Sequence, residues 1–193
     1  MRKVWRILIA LGIIVIIVVS MYVTRRNDMV TQHEAVRAAW AQVDVVIERR
    51  ADLIPNLVNT VEGYAAHEQT VFDSVTRARE ALIGARTPAG RVAANSQLDG
   101  ALGRLLMVAE AYPNLKANEN FLELQDQLEG TENRIAVERR RYDEAVRSYN
   151  TYIGLFPNNL VAAMAGFQRE NNYFAAVGAA RAVPQVEFPA AKP

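Results

Sequence analysis

The chain of 193 residues has no cysteine and only two histidines. The absence of cysteine excludes disulfide bonds, thiolate nucleophiles and cysteine-ligated metals. His33 and His67 each directly precede a glutamate, and neighbours on a helix point in different directions, so neither pair forms a helical ligand set. Neither His-Glu-x-x-His nor the Glu-x-x-His pattern of di-iron bundles occurs. We therefore expect no metal site and no cofactor.

The sequence also lacks the patterns of nucleophilic catalysis and of nucleic-acid binding. Ser74, Ser96 and Ser148 fall in helical stretches without the flanking glycines of a nucleophile elbow. Lysine and arginine number 22 against 21 aspartates and glutamates, which gives a net charge of +1. Because the two signs are interspersed, no basic stripe exists that could neutralise many phosphates. We predict no catalytic residue, no small-molecule substrate and no nucleic-acid partner.

The strongest pattern that is present is an uncharged apolar run from Ile7 to Val23, with Arg6 before it and Arg25 and Arg26 shortly after it. As a helix this run is about 25 Å long, so residues 5–23 just span a bilayer core. The residues that follow are too bulky for a signal-peptidase site, and a buried core helix rarely lacks polar residues for so long. The pattern predicts an uncleaved, single-pass anchor at residues 1–26 in a lipid bilayer.

The two ends of this run carry rings and cations suited to the membrane interface. The interface residues expected are Trp5, Arg6, Tyr22, Arg25 and Arg26. The N-terminal flank carries slightly more positive charge than the other flank, which has Asp28 close by. Since the more positive flank usually stays in the cytoplasm, this balance favours an extracytoplasmic domain, and it leaves a cytoplasmic one open.

Residues 27–178 are predicted to form a helical domain with heptad seams, in which apolar residues alternate at spacings of three and four. The first seam comprises Val36, Trp40, Val43, Ile47, Arg50, Ile54, Leu57, Val61, Tyr64, Glu68, Val71, Val75, Ala78 and Leu82. We expect one long helix there, kinked at Pro55 and ending near Gly84. Thr87 and Pro88 look like the start of a second helix, with Leu98, Leu102, Leu105 and Ala109 on one face.

A third helix is expected after the break at Tyr112 and Pro113, with Asn118 as its cap. Its seam comprises Phe121, Leu124, Leu128, Thr131, Ile135, Glu138, Tyr142, Ala145, Tyr149, Tyr152 and Phe156. Gly154 and Pro157 mark its end, and 158–173 can form a last short helix. Residues 179–193 are expected to be a flexible tail. The fold class predicted is all-α: an N-terminal transmembrane helix followed by an elongated antiparallel bundle with coiled-coil-like seams.

Some polar residues interrupt these patterns. Arg50, Glu68 and Glu138 occupy seam positions, where long side chains either snorkel to the rim, pair across helices to fix register, or form a buried charged cluster. A second polar group is Asp52, Asn56, Asn118 and Glu119. The first two flank Pro55 and the last two begin the third helix, so they either satisfy local backbone groups or form a patch for a partner.

Several long motifs resemble the LemA family. They are AWAQVDV at 39–45, RRADLIPNLV at 49–58, GYAAHE at 63–68, YPNLKANENF at 112–121, TENRIA at 131–136 and YNT at 149–151. The resemblance extends to the anchor, to Phe156-Pro157 and to Val186-x-Phe188. It implies a bacterial, single-pass protein of the inner (cell) membrane with a helical-bundle domain and no catalytic residues. A related member takes part in magnetosome formation, which implies membrane organisation or partner binding.

Three functions are compatible with these patterns. The leading hypothesis is a membrane-anchored scaffold or adaptor that binds other membrane proteins or forms a homo-oligomer. The alternative is a protein that remodels the membrane by dense oligomerisation on lipid. The third is a metal-dependent enzyme that would use His67 and Glu68. The absence of a catalytic pattern favours the first two.

Overall fold

The computed structural model describes residues 2–171, which form six helices and no strand. The helices are α1 (Arg2–Glu62), α2 (Gln69–Gly84), α3 (Pro88–Glu110), α4 (Pro113–Lys116), α5 (Glu119–Gly154) and α6 (Asn158–Ala165). The all-α prediction is confirmed for this range. The tail at 179–193, with Val186 and Phe188, lies outside the described residues, as does the expected end of the last helix at Tyr173.

α1 is a single uninterrupted helix of 61 residues, about 90 Å long. Its most apolar stretch has the length and composition to cross a membrane, and none of that stretch is buried. The buried residues of α1 begin at Met29. Pro55 lies inside the helix without ending it, as expected. One helix therefore contains both the stretch that can cross a membrane and the central helix of the bundle.

The predicted helix from Val36 through Leu82 is wrong, because α1 ends at Glu62 and α2 runs back along it. The reversal is a short turn in which Ala65 N donates to Val61 O (2.9 Å) and Glu68 N donates to Ala65 O (3.1 Å). Ala65 is buried at the corner. The turn happens to preserve the heptad spacing, so periodicity alone could not reveal it.

α1 and α5 form the main antiparallel pair of the bundle. Contacts between their side chains fix the register along its length. They are Asp28 with Tyr152 (2.7 Å), Gln32 with Ser148 (3.2 Å), Trp40 with Tyr142 (ring centroids 5.5 Å apart), Arg50 with Glu132 (2.5 Å), and, just beyond α1, Tyr64 with Asn118 (3.0 Å). Residues further from the membrane on α1 thus contact residues nearer the start of α5.

The local signals for helix ends are confirmed at two places. Thr87 caps α3 by accepting from Gly90 N (3.1 Å), and Asn118 caps α5 by accepting from Phe121 N (3.0 Å).

Phe156 was expected in the third seam, but it follows the end of α5 and is 80% exposed, so that assignment is wrong. The last helix is shorter than expected: α6 ends at Ala165, and Gly166, with a positive φ of 77°, forms a left-handed cap after it.

Candidate functional site

Arg50 of α1 is buried, with 6% of its surface exposed, and it contacts two other helices. Its Nη1 lies 2.6 Å from Asp99 Oδ1 of α3 and 2.5 Å from Glu132 Oε2 of α5. The same nitrogen donates to Asn95 Oδ1 at 3.3 Å. One side chain therefore joins α1, α3 and α5 at a single level. We call Arg50, Asn95, Asp99 and Glu132 the arginine cluster.

The charges of the arginine cluster differ in their access to water. The side chain of Arg50 is 8% exposed, whereas those of Asp99 and Glu132 are 42% and 45% exposed. Asn95 Nδ2 donates to Asp99 Oδ2 (3.3 Å) and so helps to orient that carboxylate. A buried cation needs a counter-charge, whereas a half-exposed carboxylate can be solvated instead. Arg50 therefore needs the two acids as counter-charges, whereas water can solvate the two acids without Arg50.

Two further arginines attach the α2–α3 hairpin to α1. Arg79 Nε donates to Ala51 O of α1 (2.8 Å). Arg91 Nη1 lies 3.1 Å from Asp44 Oδ1 and its Nη2 lies 3.6 Å from Glu48 Oε1. These polar links and Arg50 thus add to the apolar packing of α2 on α1 in holding the hairpin against α1.

A groove of about 430 Å³ opens beside Arg50, between α3 and α5. Leu57, Leu102 and Leu128 are buried in it, and Leu106 is half-buried. The polar residues that line it are Arg50, Asp99, Gln125, Glu129 and Glu132. Three carboxylates thus face one arginine around an apolar floor, which gives the groove a net negative charge. Its volume lies in the range of sites that bind a small ligand or a few side chains.

The groove lies far from the bilayer. Leu57 follows Val23, the last residue of the apolar run, by 34 positions on the same helix. At 1.5 Å per residue this separation is about 50 Å. The groove therefore lies well outside the part of α1 that can cross a membrane.

The other two polar seam residues are not part of the arginine cluster. Glu138 forms an ion pair with Arg141 on its own helix (2.8 Å), and its side chain is 17% exposed. Glu68 is at the half-buried N-terminus of α2, where its side chain makes no capping bond. Of the three residues predicted at polar seam positions, the structure places only Arg50 in an interhelical cluster.

The residues suggested as a partner patch lie in two places. Asp52 and Asn56 are exposed on α1. Asn118 caps α5 and donates to Tyr64 Oη (3.0 Å), and Glu119 follows it. Tyr64 lies just beyond the end of α1. Asn118 and Glu119 thus lie beside that end, whereas Asp52 and Asn56 lie within α1.

The predicted interface residues lie on both sides of the apolar run. Trp5 and Arg6 are exposed on the first turns of α1, and Arg26 is exposed after the run. Tyr22 and Arg25 are half-buried, because the bundle begins beside them.

Asn95, Asp99 and Glu132 were not singled out from the sequence. A weak signal was available: Asn95 and Asp99 are one turn apart beside Leu98, and Glu132 is next to the seam residue Thr131. Sequence spacing could not show that these residues of different helices meet at Arg50. Among residues 2–171, no group of three or more histidines and carboxylates is placed to hold a metal ion.

Two tyrosines near the membrane end of α5 have altered acidity. Burial raises the pKa of Tyr149, and the nearby charge of Glu170 raises it further. Burial also raises the pKa of Tyr152, and its bond to Asp28 acts in the same direction, while Arg25 opposes it. Both phenols therefore stay neutral above the usual pKa of about 10.

We expect this effect in an alkaline titration of the seven tyrosines. The phenolate absorbance of the folded protein should lag behind that of the unfolded protein. The Tyr149→Phe/Tyr152→Phe variant should lose the late part of the folded-state curve. Because a raised folded-state pKa favours the neutral form, the stability linked to these groups is present below pH 10 and lost as pH rises above it. Coincident folded and unfolded curves would contradict this assignment.

An apolar helix that continues into a bundle of antiparallel helices defines a membrane-anchored helical-bundle protein. The LemA family model matches residues 39–188, which is well over half of the chain. The chain therefore belongs to the LemA family, as its motifs indicated.

Three relatives illustrate the similarity of this chain to other proteins. Magnetosome protein MamQ 2 of Paramagnetospirillum magneticum is 28% identical over 181 residues, which cover 80% of this chain and 66% of the relative. MamQ of Magnetospirillum gryphiswaldense is 26% identical over 171 residues (75% and 63%). Protein LemA of Metamycoplasma hominis is 26% identical over 145 residues (73% and 65%). The chain thus spans slightly less than two thirds of the length of these relatives.

Proposed function

We propose that this protein is a non-catalytic scaffold of the bacterial inner membrane that binds a helical segment of another protein in the groove between α3 and α5. The observation that supports this most directly is the groove itself, an apolar floor with an acidic rim. A helix with apolar residues on one face fits such a groove, since helix-in-groove recognition relies on anchors spaced one turn apart.

The charge of the groove specifies the partner further. Asp99, Glu129 and Glu132 surround the leucines, and Arg50 supplies the only positive charge among the lining residues. A partner with lysine or arginine next to its apolar anchors would complement this rim and would be steered towards it. The proposed partner is therefore a basic amphipathic helix.

The setting of the groove supports a scaffold role. It lies about 50 Å from the anchor along a continuous helix, so a bound partner would be held near the membrane at a fixed height. The relatives are named for the magnetosome or for the family, and neither name states a reaction. We propose an extracytoplasmic bundle, because the N-terminal flank of the anchor is the more positive one, and this balance leaves a cytoplasmic bundle open.

Photo-crosslinking can test the groove in intact membranes. A photoreactive residue at Gly103, which lines the groove, should form adducts with a partner, whereas one at Gln97, exposed on another face of α3, should not. Glu129→Lys should lower the Gly103 adducts several-fold, because it reverses a charge on the rim. Glu144→Lys makes the same change on an exposed position of α5 outside the groove and should leave them unchanged.

Two results would contradict the proposal. Equal adducts from Gly103 and Gln97 would show that contacts are not specific to the groove. Adducts that resist Glu129→Lys, or respond equally to Glu144→Lys, would show that the acidic rim does not select the partner. Adducts between copies of this chain would identify the bound segment as its own.

A further inference from the structure

Four large apolar side chains are exposed together where α5 turns into α6. Leu155 and Phe156 follow the end of α5 and are 57% and 80% exposed, and Leu160 and Met164 of α6 are 56% and 76% exposed. Leu160 and Met164 are one turn apart, so they share one face of α6. We call these four residues the apolar corner.

The apolar corner lies at the membrane end of the bundle. Tyr152 Oη donates to Asp28 Oδ2 at 2.7 Å, which places the last turn of α5 beside the part of α1 that leaves the bilayer. Following the antiparallel register, Gly154 lies at the level of Arg26, less than one turn from Val23. The chain then continues into Leu155 and Phe156 at that level.

The opposite face of α6 holds the apolar corner in position. Val161 and Ala162 are buried, and α6 contacts both α1 and α5. Asn158 Nδ2 donates to Tyr152 O (3.0 Å). Beyond α6 the chain is tied back to α5, since Tyr149 Oη donates to Gln168 O (2.9 Å). The corner is therefore a fixed part of the fold, and α6 cannot turn its apolar face inwards without losing these contacts.

The position of the apolar corner identifies its partner. At the level of Arg26 the surroundings of α1 are the headgroup and interfacial layer, which is several ångströms thick on each side of the hydrocarbon core. Exposed Phe, Leu and Met side chains are suited to this boundary, as in helices that lie in the membrane plane. Arg169 is exposed beside Gly154, so a cation accompanies the apolar residues, as is typical of such surfaces.

We propose that the apolar corner inserts into the interface of the same bilayer that α1 spans. The bundle would then contact its membrane at two points, the anchor and α6, and the second point would fix how the bundle is rotated about α1. This inference does not depend on the groove or on its partner.

The absence of cysteine allows a direct test with single labels on the full chain. Phe156→Cys, Leu160→Cys and Met164→Cys can each carry an environment-sensitive fluorophore, in vesicles of phosphatidylcholine and phosphatidylglycerol. Met107→Cys is the matched control: it is 67% exposed but lies on α3, about 50 Å from the membrane. Since all four side chains are exposed, labelling should leave the helical circular dichroism unchanged.

We expect the labels at the apolar corner to emit at shorter wavelength than the label at Met107 and to be quenched by lipids that carry a spin label near the headgroup. A quencher deep in the acyl chains should act less strongly on them. Emission and quenching equal to those of Met107 would overturn the proposal. A shift to shorter wavelength without quenching by lipid would overturn it too, because it would assign the corner to a protein contact.

Discussion

Replacing Asp99 by Asn and Glu132 by Gln together is expected to lower the free energy of unfolding of the bundle by about 3–5 kcal/mol, the usual cost of leaving a buried charge without its partner. The two carboxylates are the only acids within ion-pair distance of Arg50 in the described residues. Arg50 cannot be solvated by rotation alone, because its side chain is 8% exposed. The measurement is chemical denaturation of the full chain in detergent, followed by helical circular dichroism.

Removing the arginine instead of its two acids is expected to lower the free energy of unfolding much less. Arg50→Met keeps the length of the side chain and leaves two half-exposed carboxylates that water can solvate, so we expect a loss of about 1 kcal/mol, typical of a substitution that strands no buried charge. Adding Arg50→Met to the Asp99→Asn/Glu132→Gln variant should restore most of the lost stability. A double-mutant cycle of this kind isolates the coupling between the arginine and its acids. Equal losses from the Arg50→Met variant and from the Asp99→Asn/Glu132→Gln variant would contradict the asymmetry that the exposures indicate.

Two arginines in the middle of the anchor are expected to release the protein from the membrane. Each arginine near the centre of a membrane helix costs about 2.5–3.5 kcal/mol on insertion scales, so Ile13→Arg/Ile16→Arg should cost roughly 5–7 kcal/mol. The anchor has little to spare, because its apolar run only just spans a bilayer core. We expect the double variant to be extracted by alkaline carbonate, whereas the parent chain stays with the membranes.

The matched control adds the same two charges to the bundle. Met107→Arg/Leu122→Arg changes exposed apolar residues and should leave the protein in the membrane fraction. The anchor variant should also keep the helicity of its bundle, since no residue of the apolar stretch is buried in the structure. If the Ile13→Arg/Ile16→Arg variant resists carbonate extraction, α1 is not the main attachment to the bilayer.

Features that depend on neighbours in the sequence could be predicted. The caps Thr87 and Asn118 and the end of α5 at Gly154 follow from local chemistry, and the structure has all three. The anchor could also be predicted, because length and the lack of charge suffice for it. The seam position of Arg50 left open whether its side chain reaches the rim, pairs across helices or joins a buried cluster, and the structure has it buried.

Features that depend on how distant parts of the chain pack together could not be predicted from the sequence. The turn after Glu62 preserves the heptad spacing, so the pattern gave one long helix where the chain forms two. The partners of Arg50 lie 45 to 82 residues away on other helices, and only the packing of α3 and α5 on α1 selects them among many carboxylates. The exposure of Phe156 was missed for a similar reason, because the seam was extended past the residue where α5 ends.

Because α1 is continuous, a tilt of its membrane part also tilts its part in the bundle. From Arg25 to Glu62 the helix is about 57 Å long, and it has no break at the bilayer surface. Membrane helices tilt by about 20° on average from the bilayer normal. A tilt of that size would carry the far end of the bundle sideways by about 20 Å. A change of tilt at the anchor would therefore move the distal end of the bundle much further than the end beside the bilayer.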